Sequence, residues 1–286
     1  MAADLHCHTK LSDGTLSIEE LVLLAKARGL GAIAVTDHDT FAGTGRAVVF
    51  GKRKGIEVVP GAELSTLDAK TGRKAHILCY YCAHPDRLQG LCHRTAEARR
   101  HAAQRMLQKV ERLYPISTEM VNRRAQGSTN IYKQHIMHAL MDAGYTNEVF
   151  GSLFQMLFNA HNGLAYAPVE YPETRDVLRQ VHEAGGVAVL AHPGVYDSYD
   201  LMEELAASHL IDGVEAFHPR NKPGDEERFR AVADKYGLLM TGGTDFHGAY
   251  SKAPHPLGTC TASDAQLAAL KCAAEAVWLE NGVNAV

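Results

Sequence analysis

The chain carries 16 histidines in 286 residues. Many stand beside acids at positions that read as strand ends. His6-x-His8 comes first, with Asp13 just beyond it. Asp37-His38-Asp39, Glu63, His76, His192, Glu215 with His218, and Asp245-x-His247 follow. In a strand, residues i and i+2 point the same way, so His6 and His8 can hold one ion. Asp245 and His247 either do likewise or diverge toward two ions. Imidazole and carboxylate together suit Zn²⁺, Mn²⁺ or Fe²⁺. Nine such groups exceed what one ion takes, so two or three divalent ions are expected. Ions roughly 3.5–4 Å apart serve in-line phosphoryl hydrolysis, because they acidify a shared water and hold the entering and leaving oxygens.

Those side chains meet only if a sheet gathers its strand ends. Residues 3–7 read as a strand. Ser17-Ile18-Glu19-Glu20 is a capping box opening a helix that Gly29 stops. Gly31 to Thr36 reads as a buried strand, Thr44 to Lys54 as a helix, Ile56 to Pro60 as a third strand and Ala75 to Tyr81 as a fourth. After an interruption the pattern returns: helix Thr174 to Ala184, strand Val187 to Ala191, helix Leu201 to Ser208, strand Asp212 to Phe217, helix Asp225 to Tyr236, strand Leu238 to Gly242 and helix Asp264 to Leu279. Repeated strand–helix units predict a parallel sheet whose C-terminal strand ends form one functional face. Seven strands suggest an α/β barrel-like closure. Residues 87–165 read as helical throughout, over 95–113, 117–124, 132–142 and 148–158. The expected organisation is therefore a barrel domain from 1–86 and 166–286, with a helical insertion at 87–165.

Composition narrows the class. With 46% hydrophobic and 22% charged residues, the chain is an ordinary globular one rather than a disordered one. It has no apolar run of the ~18 residues that a membrane span needs, and its start lacks the basic and apolar regions of a secretory leader. Among six cysteines only Cys79-x-x-Cys82 has a pair-like spacing. Inside an apolar run it reads as reduced, buried thiols, and the expected location is cytoplasmic.

Asp4-Leu5-His6-Cys7-His8-Thr9, Ser12-Asp13-Gly14, Thr36-Asp37-His38-Asp39, Pro60-Gly61-Ala62-Glu63, Ala191-His192-Pro193-Gly194 and Gly243-Thr244-Asp245-Phe246-His247 together resemble the PHP (polymerase and histidinol phosphatase) family. The resemblance implies a distorted seven-stranded (β/α)7 barrel and a three-metal phosphoesterase site. His6, His8, Glu63 and Asp245 would hold the first ion. Glu63 would bridge to the second, shared with His76 and His192. Asp13, His38 and His247 would hold the third. Asp13 stands where many members have His. With the helical insertion, it makes the chain look most like the members that act on nucleotides: 3′,5′-nucleoside bisphosphate phosphatases and 5′→3′ exonucleases. His76 sits alone in an apolar run, where a core histidine is the competing reading. Asp37, Asp39 and Glu215 read as groups that orient the ligands.

The charge of −4 hides a net of +6 over residues 94–133. A basic insertion beside an acidic metal face would steer anions inward. Most of its arginines, Arg99, Arg100 and Arg105 among them, read as a solvated helix face. Lys133-Gln134-His135 occupies the place where the nucleotide-directed members show Arg-Pro-His, so Lys133 and His135 are phosphate candidates, together with His161, Arg175 and His218. His218 is also the candidate acid for the leaving group. Tyr132, Phe154, Phe158 and Tyr166 either stack on a base or pack the helical unit.

The expected activity is hydrolysis of nucleotide phosphate monoesters by a metal-bridging hydroxide, with a 5′→3′ exonuclease on short oligonucleotides and a histidinol-phosphate-type phosphatase as alternatives, and with no membrane or obligate protein partner. An amidohydrolase reading is disfavoured because His76 stands where a carboxylated lysine would be needed. A non-catalytic module is disfavoured by the full ligand set.

Overall fold

A computed structural model describes residues 2–251, 253 and 255–282. Met1, Lys252, Pro254 and residues 283–286, which fall in the expected barrel segments, lie outside the described residues. Seven strands form one sheet in sequential order: β1 (Ala3–Cys7), β2 (Ala32–Val35), β3 (Glu57–Asp68), β4 (Arg73–Tyr80), β5 (Val187–Leu190), β6 (Gly213–Phe217) and β7 (Leu239–Gly242). The sheet curls into a nearly closed barrel. Beyond β7, Phe246 bridges Cys7 of β1, with Phe246 N–H donating to His6 C=O and His8 N–H to Phe246 C=O. A Cβ at Gly243 would lie 2.5 Å from the His6 backbone nitrogen, so this seam closes only over glycine.

One strand departs from the expected all-parallel sheet. β4 runs antiparallel to both β3 and β5. The third strand is also longer than expected and runs on through Pro60, where the sequence pattern ends it, to Asp68. Its first half pairs with β2 in parallel, through Val35–Pro60, and its second half pairs with β4. Gly61 sits at the changeover, where a Cβ would press on the Cys79 carbonyl at 3.1 Å. The reversal explains why His76 comes early in its strand while the other ligands come late: β4 enters from the end where its neighbours finish.

Strand alternation sorts the side chains. Along β4, His76, Leu78 and Tyr80 face into the barrel, whereas Ala75, Ile77 and Cys79 pack outward against α7 (Thr174–Glu183) and α8 (Tyr199–Ala207). Inward residues at the far end, Ala32, Ala34, Val59, Leu78, Val187 and Val189, form an apolar plug with α10 (Asp264–Glu280). α1 (Ile18–Ala27), opened by the Ser17/Glu20 capping box, and α2 (Thr44–Lys54) cover β1 and β2. α9 (Asp225–Tyr236) covers β6.

Between β4 and α7 come α3 (Gln89–Glu111), α4 (Thr118–Arg124), α5 (Lys133–Asp142) and α6 (Ser152–Phe158). They enclose their own apolar core, built on Met106, Val110, Val121, Ile136, Leu140, Leu157 and Phe158. Polar contacts join them to the barrel: Thr129 N–H donates to Leu11 C=O at 2.9 Å, and Arg99 of α3 pairs with Asp39 at 2.6 Å. Arg99 is buried between the Tyr132 and Tyr171 rings, so it is no part of a solvated face.

Candidate metal centre

The nine expected ligands meet at the open end of the barrel around Glu63. Its Oε1 lies 2.6 Å from His76 Nδ1 and 2.8 Å from His192 Nε2. Its Oε2 lies 3.1 Å from His38 Nδ1, 3.2 Å from His8 Nε2 and 3.3 Å from His6 Nε2. Asp245 Oδ1 is 3.4 Å from His8 Nε2 and 3.6 Å from His6 Nε2. Asp13 Oδ1 is 3.3 Å from His247 Nε2, 3.7 Å from His8 Nδ1 and 3.9 Å from His38 Nε2. Asp245 and His247 thus diverge, the first toward His6 and His8, the second toward Asp13. The cause is backbone: Asp245 has φ +53°, which breaks the strand alternation. His192 is likewise held at φ +29°. Positive φ in a residue with a Cβ is costly and is a mark of functional sites.

The donor set fits divalent cations. Buried His6 Nε2, His8 Nε2, Asp13 Oδ1, His38 Nδ1 and Glu63 Oε2 make no hydrogen bond, although they crowd within a few ångströms of one another. Buried polar atoms left this way are expensive unless a cation joins them. Compact groups suited to one ion are His6, His8, Glu63 and Asp245; His8, Asp13, His38 and His247; His38, Glu63 and His76; and His6, His192 and Glu215, so His192 groups with Glu215 rather than with His76.

The electrostatics agree. Burial would push the Glu63, Asp13 and Asp245 carboxyls up, yet the surrounding imidazoles hold all three below their ordinary range. Burial works against a proton on His8, but the Asp245 and Glu63 carboxylates beside it carry it up to about 10. Burial holds His192 down at about 4. The acids thus draw positive charge to this spot.

A surrounding layer fixes the ligands. Glu215 accepts from His6 Nδ1 at 2.9 Å and from the His192 N–H at 2.8 Å. Asp37 does not touch His38; it accepts from Thr9 N–H, Thr9 Oγ and Ser12 Oγ and so shapes the loop that carries Asp13. Asp39 braces Ser65 and Arg99.

The PHP domain model matches residues 4–191 of the chain. The chain belongs to the PHP family. A phosphoribosyl 1,2-cyclic phosphate 1,2-diphosphodiesterase of Eggerthella lenta is 40% identical over 260 residues, 89% of this chain and 97% of that one. A 3′,5′-nucleoside bisphosphate phosphatase of Chromobacterium violaceum is 30% identical over 85% of this chain and 86% of its own. A crystal structure ascribed to a metal-dependent phosphoesterase of Bifidobacterium adolescentis superposes with a TM-score of 0.84 at 30% identity, covering 95% of this chain and 96% of that one. This PHP protein is a metal-dependent phosphoesterase, in keeping with the names of those two relatives and that crystal structure. No helix among the described residues is long and apolar enough to cross a membrane.

The PHP centre opens on two adjoining cavities of ≈ 140 and ≈ 210 Å³ that share His38, His76 and Tyr196. Of the expected phosphate contacts, only Lys133 lines them, its Nζ 5.0 Å from the Tyr166 ring centre. His135 turns away. Its Nδ1 accepts from Tyr132 N–H at the start of α5, and burial holds it neutral, down at about 4. Arg175 is spent on Asp68, Glu173 and Glu204, and His161 sits in an exposed turn after α6. Neither reaches the cavities. His218 is buried behind Asp245, its Nε2 3.6 Å from Oδ2 and its Nδ1 accepting from Arg220 N–H, so it backs a ligand instead of facing substrate. Tyr132, Phe154 and Tyr166 line the larger cavity, whereas Phe158 joins the helical core.

Residues missed in the sequence complete the walls. Arg220, next but one after His218, pairs with Asp245 at 2.7 Å and lines the smaller cavity with His255. The His218-Pro219 pair pointed to the right loop, two positions short. Tyr196 Oη lies 3.4 Å from His76 Nε2, and Gln134 Nε2 donates to Asp13 at 2.9 Å. Gln134 stood inside a motif read for its two flanking cations.

Proposed function

We propose that this phosphoesterase cleaves phosphate esters of small ribose-based molecules, nucleotides foremost, and that the helical insertion caps the site. The supporting observation is the crowd of nine buried or partly buried candidate ligands centred on Glu63, opening directly beneath cations and aromatic rings contributed by α3, α5 and α6. Relatives named for a phosphoribosyl cyclic phosphate and for a nucleoside bisphosphate support this reading.

In this reading two or three divalent ions, Mn²⁺, Zn²⁺ or Fe²⁺, would be held by His6, His8, Asp13, His38, Glu63, His76, His192, Asp245 and His247. Bound ions supply Lewis acidity toward a phosphoryl oxygen and acidify water. The chain does the remaining work. Glu215 keeps the His6 ring turned so that Nε2 faces Glu63 and Asp245. His218 and Arg220 hold Asp245 from behind. Arg220 lies at the wall of the smaller cavity, where its remaining donors face a phosphate oxygen. Lys133 and the rings of Tyr132, Phe154 and Tyr166 receive the rest of the substrate. The snug pair of cavities favours a mononucleotide over a polymer.

The test is a screen of metal-loaded protein against AMP, adenosine 3′,5′-bisphosphate, a ribosyl cyclic phosphate, histidinol phosphate and short 5′-phosphorylated oligonucleotides. Release of phosphate or opening of the cyclic ester from the small ribosyl substrates is expected. Turnover confined to oligonucleotides would replace this reading with an exonuclease. Inactivity on the whole panel with metals bound would reject both.

A further inference from the structure

The insertion and its surroundings are rich in cations, and several of them are spent on carboxylates. Arg99 pairs with Asp39, Arg100 with Glu97, Arg124 with Asp142, Arg175 with three acids and Arg220 with Asp245. Lys74 is different. It is half-buried on β4 and lines the larger cavity, and among the described residues it pairs with no carboxylate. Its ammonium lies 5.1 Å from the centre of the Tyr171 ring. Strand alternation puts Lys74 on the same face as the ligand His76, about 7 Å along the chain. The one carboxylate lining that cavity, Asp13, already faces His247 and Gln134.

A cation half removed from water, without a counter-charge and one strand step from a phosphoesterase centre, is placed to meet charge that the substrate brings. We infer that Lys74 reads a second anionic group on the substrate, roughly one sugar ring from the ester being cleaved, and sets a preference for doubly over singly phosphorylated ribosyl substrates. This rests on the phosphoesterase reading above. It adds the specificity element, in a residue outside the basic segment that drew attention in the sequence.

The experiment compares wild type, Lys74→Met and Lys74→Arg on adenosine 3′,5′-bisphosphate, adenosine 3′-phosphate and p-nitrophenyl phosphate. Lys74→Met should raise KM for the bisphosphate about 10- to 100-fold. The other two substrates should change less than about 3-fold, and Lys74→Arg should keep most of the discrimination. Calorimetric titration of metal-stripped protein with the bisphosphate, where nothing turns over, should show the same weakening. Lys74→Gln repeats the comparison if circular dichroism shows that the Met variant is misfolded. Equal effects on all three substrates, or none on any, would overturn the role of Lys74. If wild type hydrolyses none of them, the functional reading fails, while the calorimetric difference still decides whether Lys74 binds the second anion.

Discussion

Gln134 Nε2 donates to Asp13 Oδ2 at 2.9 Å, joining the helical insertion to a metal ligand 121 positions earlier. Asp13 Oδ1 is then left to face His247, His8 and His38. Partners of this kind orient a ligand, and their loss typically weakens a metal 10- to 100-fold. Gln134→Leu should therefore weaken the most loosely held ion by about that factor, with smaller effects on the others. Metal content after dialysis against graded chelator reads this directly. Unchanged release of every ion would mean that the contact is incidental.

Arg99 and Asp39 form the other clasp. The guanidinium is buried, bonds Asp39 at 2.6 Å and Ser65 Oγ at 2.9 Å, and stacks on Tyr132. Removing one partner of a buried pair leaves the other charge uncompensated, at a cost of about 3–5 kcal/mol. Arg99→Met should destabilise the protein by that order and expose the insertion to proteolysis. Adding Asp39→Asn should recover part of the loss in urea denaturation. A single variant as stable as wild type would show that the pair does not hold the insertion down.

Much of this was legible in the chain because the signals were local. The Ser17/Glu20 box, the α9 span and the strand-end motifs each depend on a few neighbouring residues, and the structure keeps them. What escaped depended on partners distant in sequence. Nothing in Ala75 to Tyr81 reveals that β4 is antiparallel. The third strand ends at Pro60 in the sequence pattern, and its second half shows only when β4 is seen beside it. Arg175 looked available because its three acids lie at positions 68, 173 and 204. Arg99 looked like one more helix-surface arginine because Asp39 lies 60 positions away. Lys74 lies two residues before a histidine that itself had a rival reading as core.

Removing the metals should cost stability as well as activity. Cations that bind only the folded state stabilise it by about 4 kcal/mol at a thousand times Kd. For a chain of this size that corresponds to a drop of roughly 10 °C in Tm on chelation. The plug formed with α10 at the opposite end contains no ligand, so the stripped protein should stay folded at room temperature. Calorimetric scans before and after chelation, and after Mn²⁺ is returned, test this. An unchanged Tm would contradict a folded-state metal centre.

His135, outside the candidate ligand set, supplies a further pH dependence. Burial, with some help from His138 and against the pull of Asp13, holds its pKa down at about 4. In the unfolded chain the group titrates near 6.5. Between those values the unfolded state binds the extra proton, so stability rises with pH through this window and falls as the solution is acidified from about 6.5 to 4. The full difference is about 3 kcal/mol, present above 6.5 and gone below 4. His135→Gln removes the titration and keeps an acceptor for Tyr132 N–H, since glutamine suits this position in a helix start. The variant should lose some packing against Tyr250 at pH 7 and then gain on wild type as the pH drops. Urea denaturation of both proteins at pH 7 and pH 4.5, in the same metal state, cancels the contributions of the other histidines. A constant difference between the two would show that His135 is not the group being titrated.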